Sequence, residues 1–324
     1  MKAKQLVRVA VLMSLLTASL GLAAKQPFEG PMPVLHADAW LNSPPLGPAD
    51  LRGKVVLVDF WTYTCINWRR TMPWLRAWAQ KYKDQGLVVV GVHTPEFSFE
   101  KDLGNIRSAA QEQQVDYPIA VDSHFTIWNA FDNHYWPAVY LVDAQGRIRH
   151  HQFGEGDYDQ LELVLQQLLA EAGHTAFDRA TVPLDAKGAE VAADWKNLRT
   201  PETYLGSARA ERSKDWALDG DWRQRTEAAV LSKAGGKITY RFHARDVHLV
   251  MGPGTHGTPV RFRVRIDGQP PAAAHGGDID DTGLGTVDQP RMYQLIRQPG
   301  PITDRQLEIE FLDPGVALYS FTFG

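Results

Sequence analysis

Cys65 is the only cysteine among 324 residues, so any sulfur chemistry begins there. It lies in the stretch VVLVDFWTYTCINWRRTMP, residues 55–73. Val55 to Val58 is a short β-branched run of the kind buried on both faces of a sheet, and it closes on Asp59, Phe60 and Trp61. Beyond the cysteine, apolar residues recur every three to four positions: Ile66 or Trp68, Met72, Leu75, Trp78 or Ala79, and Tyr82. That is the period of an amphipathic helix. Cys65 is therefore predicted where a buried strand hands over to a helix, with its sulfur at the helix N-terminus. Unpaired N–H groups there favour an anion, so the expectation is a stabilised thiolate with a depressed pKa. A thiolate attacks a disulfide, and a second thiol must release the mixed disulfide. This chain has no second cysteine. Exchange at Cys65 must be completed from outside the chain.

The order strand, Asp59-Phe60-Trp61, three residues, Cys65, helix resembles the thioredoxin superfamily, and its TlpA- or DipZ-like periplasmic branch in particular. On that resemblance Asp59 matches the buried acid ending the family's central strand. Pro73 matches the proline that kinks its active-site helix. Trp136-Pro137, just before the run AVYLVD, matches the cis-proline that faces the thiol. The resemblance implies Cys65 and Asp59 as catalytic residues, with Pro137 pairing an incoming peptide backbone and Trp136 bordering that groove. Trp61, Thr62, Trp68 and Glu96 complete the expected substrate-binding set, the tryptophans making it aromatic enough for an apolar or peptide ligand. The departure is plain: the family's Cys-x-x-Cys reads Cys65-Ile66-Asn67-Trp68 here. Asp59 therefore lacks the resolving cysteine whose proton it accepts in the family.

A second chemistry rests on Thr62-Tyr63-Thr64-Cys65, which has the Thr-x-x-Cys spacing of peroxiredoxins, where the thiolate is oxidised to sulfenic acid. Arg69 and Arg70 would supply the positive charge, although the proline that precedes that motif is missing. His93, at the carboxyl end of a second buried strand, and Glu96 stand where open α/β sheets place ligands. No metal and no cofactor is expected, since copper carriers of this superfamily use two cysteines and a histidine.

The elements that must position these residues follow from the rest of the chain. Lys2, Lys4 and Arg8 precede an apolar run from Val9 to Leu22, then Ala23 and Ala24, which reads as a cleaved secretory signal peptide over 1–24. The run is shorter than the ~20 residues a membrane span needs. Residues 25–172 read as β-α-β-α-β-α-β-β-α, an α/β thioredoxin-like fold with the TlpA-like βα insertion, beginning with a strand at Pro33–Leu35. A helix is expected over 99–114 and another over 123–131, with Ser123 as its N-cap. Residues 173–200 read as a linker or packing arm with a weak helical stretch around 186–198. From Pro201 to the end, seven short alternating strands separated by Gly, Pro and Asp turns predict an antiparallel sandwich, with a long loop over 272–288. This half resembles the jelly-roll, galactose-binding-like or carbohydrate-binding-module-like domain of DipZ-type proteins. Its Trp216, Trp222, Tyr240 and Tyr293 are expected in the core rather than as sugar platforms.

A formal charge of −4 without a basic stripe argues against nucleic acid as partner. Three functions fit these residues. The first is an exported periplasmic monothiol oxidoreductase acting on protein or low-molecular-weight thiols and disulfides, with a membrane-bound thiol reductase as a partner. The second is a thiol peroxidase. The third is a redox-inactive protein holding a peptide near Pro137 or a glycan on the sandwich.

Overall fold

The computed structural model describes residues 27–210, 214–253 and 257–324, so the leader expected over 1–24 lies outside the described residues. The chain runs β1 (Gly30–Pro31), β2 (Ala39–Leu41), α1 (Pro48–Leu51), β3 (Val55–Trp61), α2 (Ile66–Tyr82), β4 (Leu87–His93) and α3 (Leu103–Glu112). It continues through β5 (Ile119–Val121), α4 (Thr126–Ala130), β6 (Ala138–Val142), β7 (Arg147–Phe153) and α5 (Tyr158–Glu171). Among the described residues these strands form a seven-stranded sheet in the order β1-β7-β6-β3-β4-β5-β2. The β3, β4 and β5 strands run parallel, while β6 pairs antiparallel to β3.

Every residue of β3 is buried, as a central strand covered on both faces requires. Alternate side chains go to opposite layers. Val55, Leu57 and Trp61 join a core with α2, α3 and α5, whereas Val56, Val58 and Phe60 face α4. By the same alternation Asp59 faces α2. Gly91 in β4 makes room for the Trp61 indole, because a Cβ there would stand 2.8 Å from Trp61 Nε1.

Two local expectations are corrected. Pro33–Leu35 is not a strand; pairing occurs on either side of it, in β1 and β2. Pro33 has no N–H to give a ladder, and Leu35 is buried from a loop instead. Ser123 does not cap α4. Its N-cap is Phe125, left-handed at φ 61°, and the first-turn N–H groups of Ile127 and Trp128 are accepted by the Asp122 carboxylate at 2.9 Å each.

Residues 186–198 form no α-helix, only a single 3-10 turn at Gly188–Glu190. That turn is tied to α2 by a two-pronged ion pair from Arg76 to Glu190 at 2.7 and 2.8 Å. The remaining strands are β8 (Thr203–Tyr204), β9 (Trp216–Asp219), β10 (Trp222–Gln224), β11 (Ala229–Leu231), β12 (Lys237–Phe242) and β13 (Asp246–Gly252). They are followed by β14 (Val260–Ile266), β15 (Leu284–Val287), β16 (Arg291–Arg297), β17 (Arg305–Phe311) and β18 (Ala317–Phe323). One sheet runs β10-β11-β18-β13-β16 with β8 on β18, the other β15-β14-β17-β12-β9. Both contribute to one apolar core, a sandwich in which Tyr240 and Tyr293 are buried and Trp216 and Trp222 pack at its margin. The stretch expected as a loop over 272–288 carries β15, which pairs with β14. Its Gly- and Asp-rich sequence hides a strand because Gly285 lies against the Phe262 ring, where a side chain would not fit.

Candidate active site

Cys65 is the N-cap of α2, in extended conformation at φ −74°, and its side chain caps nothing. Its Sγ faces the backbone carbonyl of Trp136 at 3.9 Å, a long contact in which the thiol is the donor. The Trp136–Pro137 peptide is cis. Trp136 is fixed in turn, donating Nε1–H to the Thr94 carbonyl at 3.0 Å and lying 4.2 Å from the Trp128 ring. Thiol and carbonyl border a cavity of about 200 Å³.

Glu96 is the hub of that cavity. Its Oε1 accepts from the Tyr204 hydroxyl at 2.6 Å and from Arg209 at 2.7 Å. The Arg209 guanidinium also lies 3.4 Å over the Tyr204 ring. Behind the wall, Glu100 shapes the loop that carries Glu96, accepting the N–H groups of Glu96 and Phe97 at 2.6 and 2.8 Å. Its other oxygen takes the Thr64 hydroxyl at 2.6 Å. Glu202, Ser320 and Thr322 complete the far side.

This surrounding reverses the expected thiol acidity. Burial pushes the Cys65 pKa well up; the N–H groups of Trp68 and Asn67 pull it down, while Glu96 and Glu202 push it further up. The helix terminus acts as expected but is outweighed. Burial also raises Glu100 to about 7, with help from Glu96, and Glu202 rises to about 7 for the same two reasons even though solvent reaches it. Removing the Glu96 charge should therefore free the thiolate. Losing one nearby carboxylate is worth about 1 kcal/mol even at the dielectric of bulk water. Glu96→Gln is expected to lower the Cys65 pKa and speed alkylation at pH 7 on the order of fivefold. A pH titration of thiol reactivity in both proteins checks this; an unchanged or higher pKa in the variant contradicts the electrostatic account.

Of the expected site residues, the structure brings Cys65, Trp136 and Glu96 to the cavity. Pro137 is buried just behind it. Trp61, Thr62 and Trp68 are fully buried, so none of the three offers surface to a substrate. The aromatic groove expected from the tryptophans does not form, because β3 and α2 turn those rings into their shared core. Asp59 is sealed beneath α2, where Trp68 Nε1–H donates to it at 2.8 Å. Burial raises its pKa to about 7, against the pull of that hydrogen bond. Its Oδ1 meets no donor among the described residues, which also favours the neutral acid.

Neither arginine expected to polarise a peroxide borders the thiol. Arg70 is buried in an ion pair with Glu155 at 3.0 Å, and Arg69 faces a separate hollow beside Asp278 and Arg291. His93 is fully buried between Trp61 and Tyr63, not at a ligand surface. Sequence reasoning missed Tyr204, Arg209, Glu202, Ser320 and Thr322. No motif marks them, and the bonds from Tyr204 and Arg209 to Glu96 join residues 108 and 113 positions apart.

Two family models match the chain: AhpC/TSA over residues 45–151 and the thioredoxin-like C-terminal domain over 211–324. Protein DipZ of Mycobacterium bovis is 35% identical over 311 residues, which is 88% of this chain and 41% of that protein. The chain thus spans about two fifths of the length of DipZ. Thiol-disulfide oxidoreductase YkuV of Bacillus subtilis is 37% identical over 142 residues, 44% of this chain and 95% of YkuV. A solution structure of a thioredoxin-like protein in the oxidized form is 38% identical, covers 44% of this chain and 96% of its own, and superposes with a TM-score of 0.41.

Proposed function

The chain belongs to the thioredoxin-like redoxins of the TlpA/DipZ type, and from that premise we propose that it is an exported monothiol oxidoreductase working through Cys65. The observation that carries this reading is a single reachable thiol at a helix N-cap, set 3.9 Å from the carbonyl that precedes Pro137. The thiolate attacks one sulfur of a disulfide, the second sulfur leaves as a thiol, and an external thiol then displaces the protein. Trp68 fills the place of a resolving cysteine, so the mixed disulfide waits for that outside thiol. Residues 25–172 act as the exchange unit and 201–324 as its cover, joined by 173–200. Asp59, neutral beneath Trp68, acts as a positioning residue for α2 rather than as a proton acceptor for the thiol. Low-molecular-weight or protein thiols are the partners, with a membrane-bound thiol reductase as one source of reducing thiol. Export through the N-terminal leader expected over 1–24 would place it in the periplasm, its stability resting on packing because it has no cysteine pair. Among the described residues no helix is long and apolar enough to cross a membrane.

Reduced protein incubated with 2-hydroxyethyl disulfide is expected to gain one adduct by intact mass. Excess low-molecular-weight thiol should remove that adduct, and Cys65→Ser should never acquire it. Because the thiol is held protonated at neutral pH, the rate should climb about tenfold per pH unit from roughly pH 6 to 8. A folded protein that stays unmodified while the urea-unfolded chain reacts fully would end this reading.

A further inference from the structure

We infer that the disulfide accepted at Cys65 is a small molecule bearing a positive charge, and not a folded protein. The inference rests on the exchange reading above and adds the substrate class.

Size comes first. Ile66, next to the cysteine at the start of α2, is only 1% exposed, because Val250 of β13 and Met292 of β16 pack on it. The sandwich thus sits on the face of α2 that a partner protein would need. It is held there by Tyr204 and Arg209 on Glu96 and by the Ser98 hydroxyl on Glu227 at 2.5 Å, while Arg76 on Glu190 anchors the joining segment to α2. What remains above the sulfur is about 200 Å³. A liquid water occupies roughly 30 Å³, so this space suits a molecule of about seven heavy atoms. A protein partner needs roughly 800 Å² on each side, which the covering sandwich denies it.

Charge comes second. Glu96 and Glu202 line the cavity with Arg209 as their counter-ion, His134 lines it with its Nε2 turned to Asp132 at 3.3 Å, and Glu100 stands behind Thr64. Because burial raises both Glu100 and Glu202 to about 7, the balance is negative above that pH, where the two are ionised. A ligand ammonium beside Glu202 offsets that surplus and moves positive charge toward the sulfur, which favours the thiolate just when the disulfide is bound.

The chemistry balances as exchange. Cys65 gives its proton to solvent, and its thiolate attacks one sulfur of R–S–S–R. The Cys65–S–S–R bond forms, the original S–S bond breaks, and the leaving R–S⁻ takes up a proton. A low-molecular-weight thiol R′–SH then attacks the sulfur of R, restoring the Cys65 thiol and releasing R–S–S–R′.

The test measures mixed-disulfide formation at about pH 8 and low salt, where Glu202 is ionised, with cystamine (a dication), 2-hydroxyethyl disulfide (neutral), dithiodipropionate (a dianion) and the disulfides of insulin. Each rate is divided by that of 2-mercaptoethanol with the same disulfide, which removes the reagent's own reactivity. The expected result is cystamine favoured over dithiodipropionate by at least roughly tenfold, shrinking to about threefold in Glu202→Gln and in high salt. Insulin should lag the neutral disulfide by roughly a hundredfold, since its docking face is covered. Insulin reacting as fast as 2-hydroxyethyl disulfide overturns the size argument. Equal normalised rates for the three small disulfides, or a preference that survives Glu202→Gln intact, overturn the charge argument. No adduct with any reagent removes the exchange reading itself, and this inference with it.

Discussion

Trp68→Ala is expected to lower the unfolding free energy by about 3–5 kcal/mol, the range for emptying a large aromatic site in a packed core. Trp68 is fully buried, stacked on Trp61 with ring centroids 4.2 Å apart, and it holds Asp59 through its indole N–H at 2.8 Å. The alanine variant loses both the ring contacts and the donor. Trp68→Phe separates the two effects: most of the volume stays, while Asp59 Oδ2 loses its hydrogen bond, at a cost of about 1–3 kcal/mol. It should also raise the Asp59 pKa beyond about 7, since that bond is what pulls it down. Urea unfolding of the three proteins decides the matter. A loss below about 1 kcal/mol for Trp68→Ala would mean that the ring is not part of the core. The tryptophan at the resolving position is on this account a structural commitment, and restoring Cys-x-x-Cys by Trp68→Cys would carry nearly the same cavity cost.

The second large effect is on acid stability. His93 and His248 are fully buried, and burial lowers both from 6.5 to about 3, helped at His248 by Arg70 and opposed there by Asp246. A depressed histidine pKa means that the unfolded chain binds the extra proton between about 6.5 and 3. Stability from these groups is therefore present above 6.5 and lost as pH falls to 3. At 1.36 kcal/mol per pK unit, each is worth on the order of 3–5 kcal/mol over the whole window. Asp59 and Glu100 act in the opposite sense. Their folded values are raised to about 7 from 3.8 and 4.5, so their contribution is present at low pH and lost as pH rises toward 7. The two pairs oppose each other between about pH 4.5 and 6.5, where the stability curve should be nearly flat. Below about pH 4 the histidines act without that opposition, and stability should fall steeply. The paired carboxylates of Asp143 and Asp246, held below their ordinary range, add to the acid loss. Urea midpoints collected from about pH 3 to 7 test this, with His248→Gln removing roughly half of the histidine share. A curve that stays level down to pH 3 would show that neither imidazole is sealed from protons.

Much of this architecture is legible in the chain itself, where local period decides the outcome. The run Val55 to Trp61 can only be a strand covered on both faces, and the three-to-four spacing from Ile66 to Tyr82 can only be a helix packed along one side. Between those two periods the cysteine has one place to be, the helix N-cap, and the structure has it there. The alternating segments beyond Pro201 likewise required a two-layer β structure. Strands such as β8 and β15 stayed hidden because two to four residues carry no period of their own.

The acidity of the sulfur and the company it keeps were decided by tertiary structure alone. A helix terminus acts on an anion from within one turn, so it can be read from sequence, and it predicts a thiolate. Desolvation and the carboxylates of Glu96 and Glu202 act through space, and the residues that close the cavity arrive from more than a hundred positions away. The same holds for Trp61 and Trp68, whose size marks them as notable while only the packing of α2 on β3 shows that they face inward. Composition and spacing determine which groups exist and which element carries each. The folded contacts determine their charge and exposure, because Coulomb and burial effects depend on distance in space and not along the chain.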